Sequence, residues 1–179
     1  MLMGDFMAKL MPNWFSNSIY DIDLVKLKSL KIKYILSDLD NTIVGYDVAV
    51  PTERVYKLVE ELKEKGIELI IISNNNEKRL STFCNPCSLR FLSHAKKPTQ
   101  GKLKKFLENN NINPNECAFV GDQLLTDMWC ANKVGCVTIL VEPLQKKESK
   151  FTFFNRIIDK KIRKRYYKQG KLISISKEE

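Results

Sequence analysis

The chain has 179 residues, 44% of them hydrophobic and 28% charged, and a formal net charge of +9 at pH 7. This length suits one domain with a real core, and the composition excludes a chain that is disordered overall. No apolar run approaches the ~20 residues that span a bilayer, so any membrane contact would lie on the surface, and the positive charge points to an acidic partner: nucleic acid, an anionic lipid surface or a phosphorylated substrate.

In residues 1–33, Leu2, Met3, Phe6, Met7, Leu10, Met11, Trp14 and Phe15 are spaced like one face of a helix that Pro12 breaks. Asp5 and Lys9 interrupt the apolar run, so it does not read as a signal peptide. Two readings stand: an arm packed on the core, or a membrane-surface contact through Trp14 and Phe15, since aromatic rings favour the interface. A short helix is expected over Ile22 to Leu30. Tyr34 to Leu36 then read as the end of a buried strand, followed at once by Ser37-Asp38-Leu39-Asp40-Asn41-Thr42. Strand side chains alternate, so Asp38 and Asp40 are expected on one side. Two carboxylates crowded there repel unless a cation sits between them or one holds a proton.

Pro51 and Thr52 open a helix whose Val55, Leu58, Val59 and Leu62 form a core-facing stripe, and Gly66 ends it. Ile67 to Ile72 is a second buried strand, ending at Ser73-Asn74-Asn75-Asn76. A short helix from Glu77 to Phe83 and a third strand from Arg90 to Leu92 lead to Lys96-Lys97-Pro98. Thr99 to Asn109 reads as a helix, Cys117 to Val120 as a strand ending at Gly121-Asp122, Leu124 to Asn132 as a helix, and Val137 to Val141 as a fifth strand. This order predicts an α/β fold with a doubly wound parallel sheet.

Residues 144–171 change character. Eleven Lys and Arg face only Glu148 and Asp159, so this segment carries +9, equal to the charge of the whole chain. Phe153, Phe154, Ile157, Ile158 and Ile162 have helix-compatible spacing. A basic amphipathic helix suits a membrane surface or nucleic acid; the plainer alternative is a helix that caps the sheet with a solvated basic face. We place the main domain at residues 1–143 and the basic segment, packed on it or extending from it, at 144–179.

The chemistry gathers at strand ends, where open parallel sheets place their ligands. Asp38, Asp40 and Thr42 follow the first strand, Ser73 the second, Asp122 and Asp127 the fourth, and Lys97 precedes that fourth strand. With these motifs the chain resembles the haloacid dehalogenase superfamily of phosphatases, subclass IIIA. Asp38-Leu39-Asp40-Asn41-Thr42 matches its first motif, Ser73 its second, Lys97-Pro98 its third and Gly121 to Asp127 its fourth. Ser73-Asn74-Asn75-Asn76 and Phe154-Asn155-Arg156 bring it closer to the YqeG-type branch, related to phosphatidylglycerophosphate phosphatases.

The resemblance implies a phosphomonoesterase in which Asp38 attacks phosphorus and Asp40 serves as general acid and base. It implies Mg²⁺ held by Asp38, Asp122 and the backbone carbonyl of Asp40. Lys97, Ser73, Thr42 and the backbone around Leu39 and Asn74 would meet the phosphoryl group. Asp127 would tune the metal's surroundings or Lys97 rather than ligate; Lys96 is the competitor for the role of Lys97. Only 30 residues lie between Thr42 and Ser73 and 23 between Ser73 and Lys97, too few for the cap domain many relatives carry. An open site suits a phosphate on something large. An anionic lipid head group at the inner membrane surface is favoured over a nucleic-acid end, a soluble phosphometabolite, or an RNA- or ribosome-binding role. No obligate protein partner is implied. The five cysteines, an odd count, suggest reduced thiols and a cytoplasmic location. Cys84 and Cys87 lack two further ligands for zinc and read as ordinary thiols, and His94 reads as structural.

Overall fold

A computed structural model describes residues 3–145 and 153–177, with side chains described over 6–145 and 157–177. Lys146, Lys147, Glu148 and Lys150, and the side chains of Met3, Phe153, Phe154, Asn155 and Arg156, lie outside what is described, as does Leu2. Six parallel strands form one sheet: β1 (Trp14–Ser16), β2 (Tyr34–Ser37), β3 (Glu68–Ile72), β4 (Arg90–Leu92), β5 (Cys117–Gly121) and β6 (Val137–Val141), in the spatial order β1-β6-β5-β2-β3-β4. After β2 the chain runs outward through β3 and β4, then returns to the other side of β2 for β5 and β6. The direction of winding therefore reverses between β2 and β5, where open α/β sheets place their ligands.

Both faces of the sheet are covered, as the near-continuous apolar runs require. Ile35, Leu69, Ile71, Ala118, Val120 and Ile139 point to one face, where α2 (Leu24–Ser29), α3 (Glu53–Glu64) and α4 (Glu77–Cys84) bury Leu27, Val55, Leu58, Leu62, Leu80 and Phe83 against them. Leu36, Ile70, Ile72, Phe119 and Leu140 point to the other. There α5 (Gly101–Asn109), α6 (Trp129–Val134) and α7 (Phe153–Lys168) supply Leu103, Leu107, Ala131, Val134, Ile162 and Tyr166, and α1 (Met3–Leu10) adds Met7. The α/β doubly wound parallel sheet is as expected, and no inserted domain stands over the strand ends among the described residues.

Two elements differ from the expectations drawn from sequence. Trp14 and Phe15 lie in strand β1, paired with Ile139 and Leu140 of β6, and both rings are half-buried against the core. The outer edge of β1 is covered by the C-terminal segment: Phe15 N–H donates to the Ile173 carbonyl at 2.8 Å and Ile175 N–H to the Phe15 carbonyl at 2.8 Å. Helical spacing over residues 2–15 thus describes α1 but not the residues after Pro12, because β1 is fixed by its neighbours and not by periodicity. The expected helix from Leu124 opens instead as a single π-turn, Leu124–Met128, before α6.

Candidate active site

β2 and β5 are neighbours in register, and Asp38 N–H extends their ladder by donating to the Val120 carbonyl at 3.0 Å. Asp38 and Asp122 thereby leave adjacent strands side by side. A turn of the chain after β5 brings Asp127 to the same place, and carboxylate oxygens of Asp38, Asp122 and Asp127 lie within 4.8 Å of one another. All three are buried, and so is Lys97.

Lys97 holds this cluster together. Its ammonium donates to Asp38 Oδ1 at 2.7 Å, to Asp127 Oδ1 at 2.7 Å and to the Ile72 carbonyl at 2.9 Å, which uses all its donors. Burial works against its charge, but Asp127 and Asp38 outweigh that effect and hold its pKa above the ordinary lysine range. Burial pushes the Asp38 carboxyl up to about 7, with Lys97 opposing and Asp127 and Asp122 reinforcing the rise. Lys96, its rival from sequence, is exposed.

The other sequence-derived residues divide. Ser73 is buried at the end of β3, and its Oγ accepts from Asn75 N–H at 3.2 Å, so its own O–H remains available to donate. The Asn74 side chain clamps the Lys97 backbone, accepting from its N–H at 2.8 Å and donating to its carbonyl at 3.0 Å. Thr42 donates to Asp122 Oδ1 at 3.3 Å and so braces a carboxylate of the cluster. Asp127 is committed at both oxygens, one to Lys97 and the other to Gln123 N–H at 3.1 Å.

The strand alternation expected to orient Asp38 and Asp40 ends before them. Both residues lie beyond β2, in a turn where Asn41 has φ 65° and donates to the Val44 carbonyl, so strand alternation does not apply. Asp40 turns to its own cation: Arg79 Nη2 donates to its Oδ1 at 2.8 Å, and Asn75 Nδ2 donates to its Oδ2. Both oxygens of Asp40 are thus engaged, and its carboxylate is not part of the acidic cluster. Arg79 was missed from sequence. It sits in the first turn of α4, capped by Asn76, and also holds the Val48 and Ala49 carbonyls at 2.8 and 3.1 Å. Only its nearness to the Asn-rich end of β3 hinted at this.

The donor set suits a hard divalent cation, since it is all oxygen and carries more negative than positive charge. Lys97 takes one oxygen each of Asp38 and Asp127, and the Asp122 carboxylate lies beside them. His94 is exposed, its backbone N–H bonded to the Asn75 carbonyl at 2.8 Å. Cys84 and Cys87 are free thiols, and burial pushes Cys84 up to about 12, so it stays protonated.

A sheet that reverses between two carboxylate-bearing strand ends, with a buried lysine beside them, points to a recognisable family. The model of haloacid dehalogenase-like hydrolases matches residues 16–141, and the chain belongs to that family. It is 38% identical over 152 residues to a Bacillus subtilis (strain 168) protein named probable phosphatase YqeG, covering 85% of this chain and 88% of that one. It is 26% identical over 161 residues to phosphatidylglycerophosphate phosphatase 1, chloroplastic/mitochondrial, of Arabidopsis thaliana, covering 83% of this chain but 46% of the relative, so it spans less than half that protein's length. Among solved structures, an uncharacterized protein from Listeria monocytogenes serotype 4b shares the fold with a TM-score of 0.53 at 15% identity, over 66% of this chain and 85% of that one.

Proposed function

We propose that this chain, a hydrolase of the phosphatase class within its family, dephosphorylates phosphatidylglycerophosphate at a membrane surface by way of an aspartyl-phosphate. The observation that carries the reading is the buried Lys97 bridging Asp38 and Asp127 beside Asp122, at the point where the sheet reverses.

A carboxylate oxygen of Asp38 attacks phosphorus and the bond to the leaving alkoxide breaks. Asp40, steadied by Arg79 and Asn75, gives that alkoxide its proton. Asp40 then takes a proton from water as the water oxygen attacks the aspartyl-phosphate, releasing phosphate and restoring Asp38. Lys97 supplies fixed positive charge throughout, and the Ser73 hydroxyl and Asn74 backbone N–H donate to phosphoryl oxygens. Asp38 and Asp122, with the Asp40 carbonyl, would hold Mg²⁺, which when bound neutralises charge between an anionic nucleophile and an anionic substrate. Thr42 and Asp127 keep Asp122 and Lys97 in place.

Three features support a lipid substrate: the open strand ends, the exposed lysines of α7 (Lys160, Lys161, Lys164 and Lys168), and the name of the Arabidopsis relative. No helix among the described residues is long and apolar enough to cross a membrane, so contact would be peripheral. The test is phosphate release, with Mg²⁺, from phosphatidylglycerophosphate in mixed micelles, from a 5′-phosphorylated oligonucleotide and from a sugar phosphate. The lipid should be hydrolysed fastest. Equal or faster release from either competitor would remove the lipid assignment.

A further inference from the structure

We infer that Asp159 and Arg163, one turn apart on α7, are positioning residues that hold the backbone presenting Asp122 to the active site. The inference rests on the proposed function, in which Asp122 is a metal ligand.

Asp122 stands between the end of β5 and the π-turn, with no strand or helix of its own. Its own carbonyl and the amides two and three residues after it are held by α7. Arg163 Nη2 donates to the Asp122 carbonyl and, at 3.1 Å, to the Val141 carbonyl at the end of β6. Asp159 accepts from Leu124 N–H at 3.0 Å and from Leu125 N–H at 3.3 Å, capping the first amides of the π-turn. The two side chains also face each other, Arg163 Nε to Asp159 Oδ2 at 3.7 Å. From within, Asp127 folds the same turn back through Gln123 N–H, and there is no room to spare: a Cβ at Gly121 would lie 2.5 Å from that of Asp127.

Packing alone does not account for these residues. Asp159 is 2% exposed, at the centre of the inward face of α7, where an apolar side chain would cover the sheet without desolvating a charge. Ile162 and Tyr166 already supply the apolar anchoring of this face. What a buried carboxylate and guanidinium add is direction: they fix the carbonyl of Asp122 and the amides of the turn that follows it. A cation site needs its ligand oxygens fixed in position, and outer partners of ligands set affinity for that reason.

The test uses the full-length protein and titrates Mg²⁺ by calorimetry, with thermal unfolding recorded for each variant. Asp159→Asn and Arg163→Gln should bind Mg²⁺ roughly 10- to 100-fold more weakly and lower kcat while leaving KM for a soluble phosphomonoester unchanged. Glu142→Gln, which removes the exposed ion pair of the same guanidinium at 3.3 Å, should bind as the parent does. Arg163→Lys keeps the charge but not the forked contact and should recover part of the affinity. Parent-like Mg²⁺ affinity in folded Asp159→Asn and Arg163→Gln overturns the inference. Should Asp159→Asn fail to fold, Arg163→Lys decides: weaker binding supports the role and unchanged binding overturns it. A parent protein that binds no Mg²⁺ instead overturns the proposed function on which the inference rests.

Discussion

At the scale of single residues, Lys97 is the structural hub of the acidic cluster. Its ammonium is buried and every donor is used, so removing either carboxylate breaks a buried ion pair and leaves one N–H without an acceptor. Asp127→Ala should therefore cost about 3–5 kcal/mol of stability, read from urea unfolding, besides its effect on turnover. Asp38 gives a pH signature with a definite sign. Burial raises its folded pKa to about 7 from the usual carboxylate value, so between those limits the folded state binds a proton that the unfolded state does not. Stability without metal should accordingly fall as pH rises through that window. Mg²⁺ competes with the same proton, so its stabilising effect should be larger near about pH 7.5 than near about pH 5, checked by thermal unfolding with Mg²⁺ and with chelator. An equal effect at both pH values would contradict the assignment. Asp38, Ser73 and Asp122 were legible because each follows a predicted strand, and Lys97 because it directly precedes Pro98. Arg79, Asp159 and Arg163 were not, because they reach their targets from helices whose orientation no local pattern encodes. In the sequence, Asp159 is only one of two acids in a basic run.

At the scale of elements, short apolar runs between turn residues revealed five strands, and the buried helices announced themselves by their stripes. β1 did not, since three residues after a proline carry no period and owe their conformation to β6 and the C-terminal segment. The π-turn was equally hidden. Its extra residue lets Asp127 swing back over Gly121 to reach Lys97, a requirement of the site and not of the helix. Gly121 is consequently sensitive although it lies in a strand with ordinary geometry. Gly121→Ala should push Asp127 away and cost about 1–3 kcal/mol in urea unfolding, with a parallel loss of phosphate release. Wild-type stability in that variant would show that the turn is looser than its contacts imply.

At the scale of the whole molecule, charge and architecture are separated. The sheet and its site are built from buried groups, while the excess of positive charge collects on the outer face of α7 and on neighbouring segments. The sequence left two readings of this helix open. The structure shows its inner face on the sheet through Ile162 and Tyr166 and its outer lysines exposed, and the proposed lipid substrate gives those lysines a testable role. Binding to phosphatidylglycerol-containing vesicles should weaken by ~1 kcal/mol for each of Lys160, Lys161, Lys164 and Lys168 changed to Gln, and should fall with added salt. Sedimentation with vesicles measures both, and salt-independent binding would rule out this surface. The helix thus joins an outward basic face with an inward face that hydrogen-bonds the backbone at and after Asp122.

Every level depends on Asp38 being the residue that takes the phosphoryl group. The most direct measurement is the rate of phosphate release by Asp38→Asn, with its fold confirmed by circular dichroism, beside the parent enzyme in saturating Mg²⁺. Loss of the nucleophile should lower turnover by about a thousand-fold or more. A folded Asp38→Asn protein that releases phosphate at the parent rate would contradict the account.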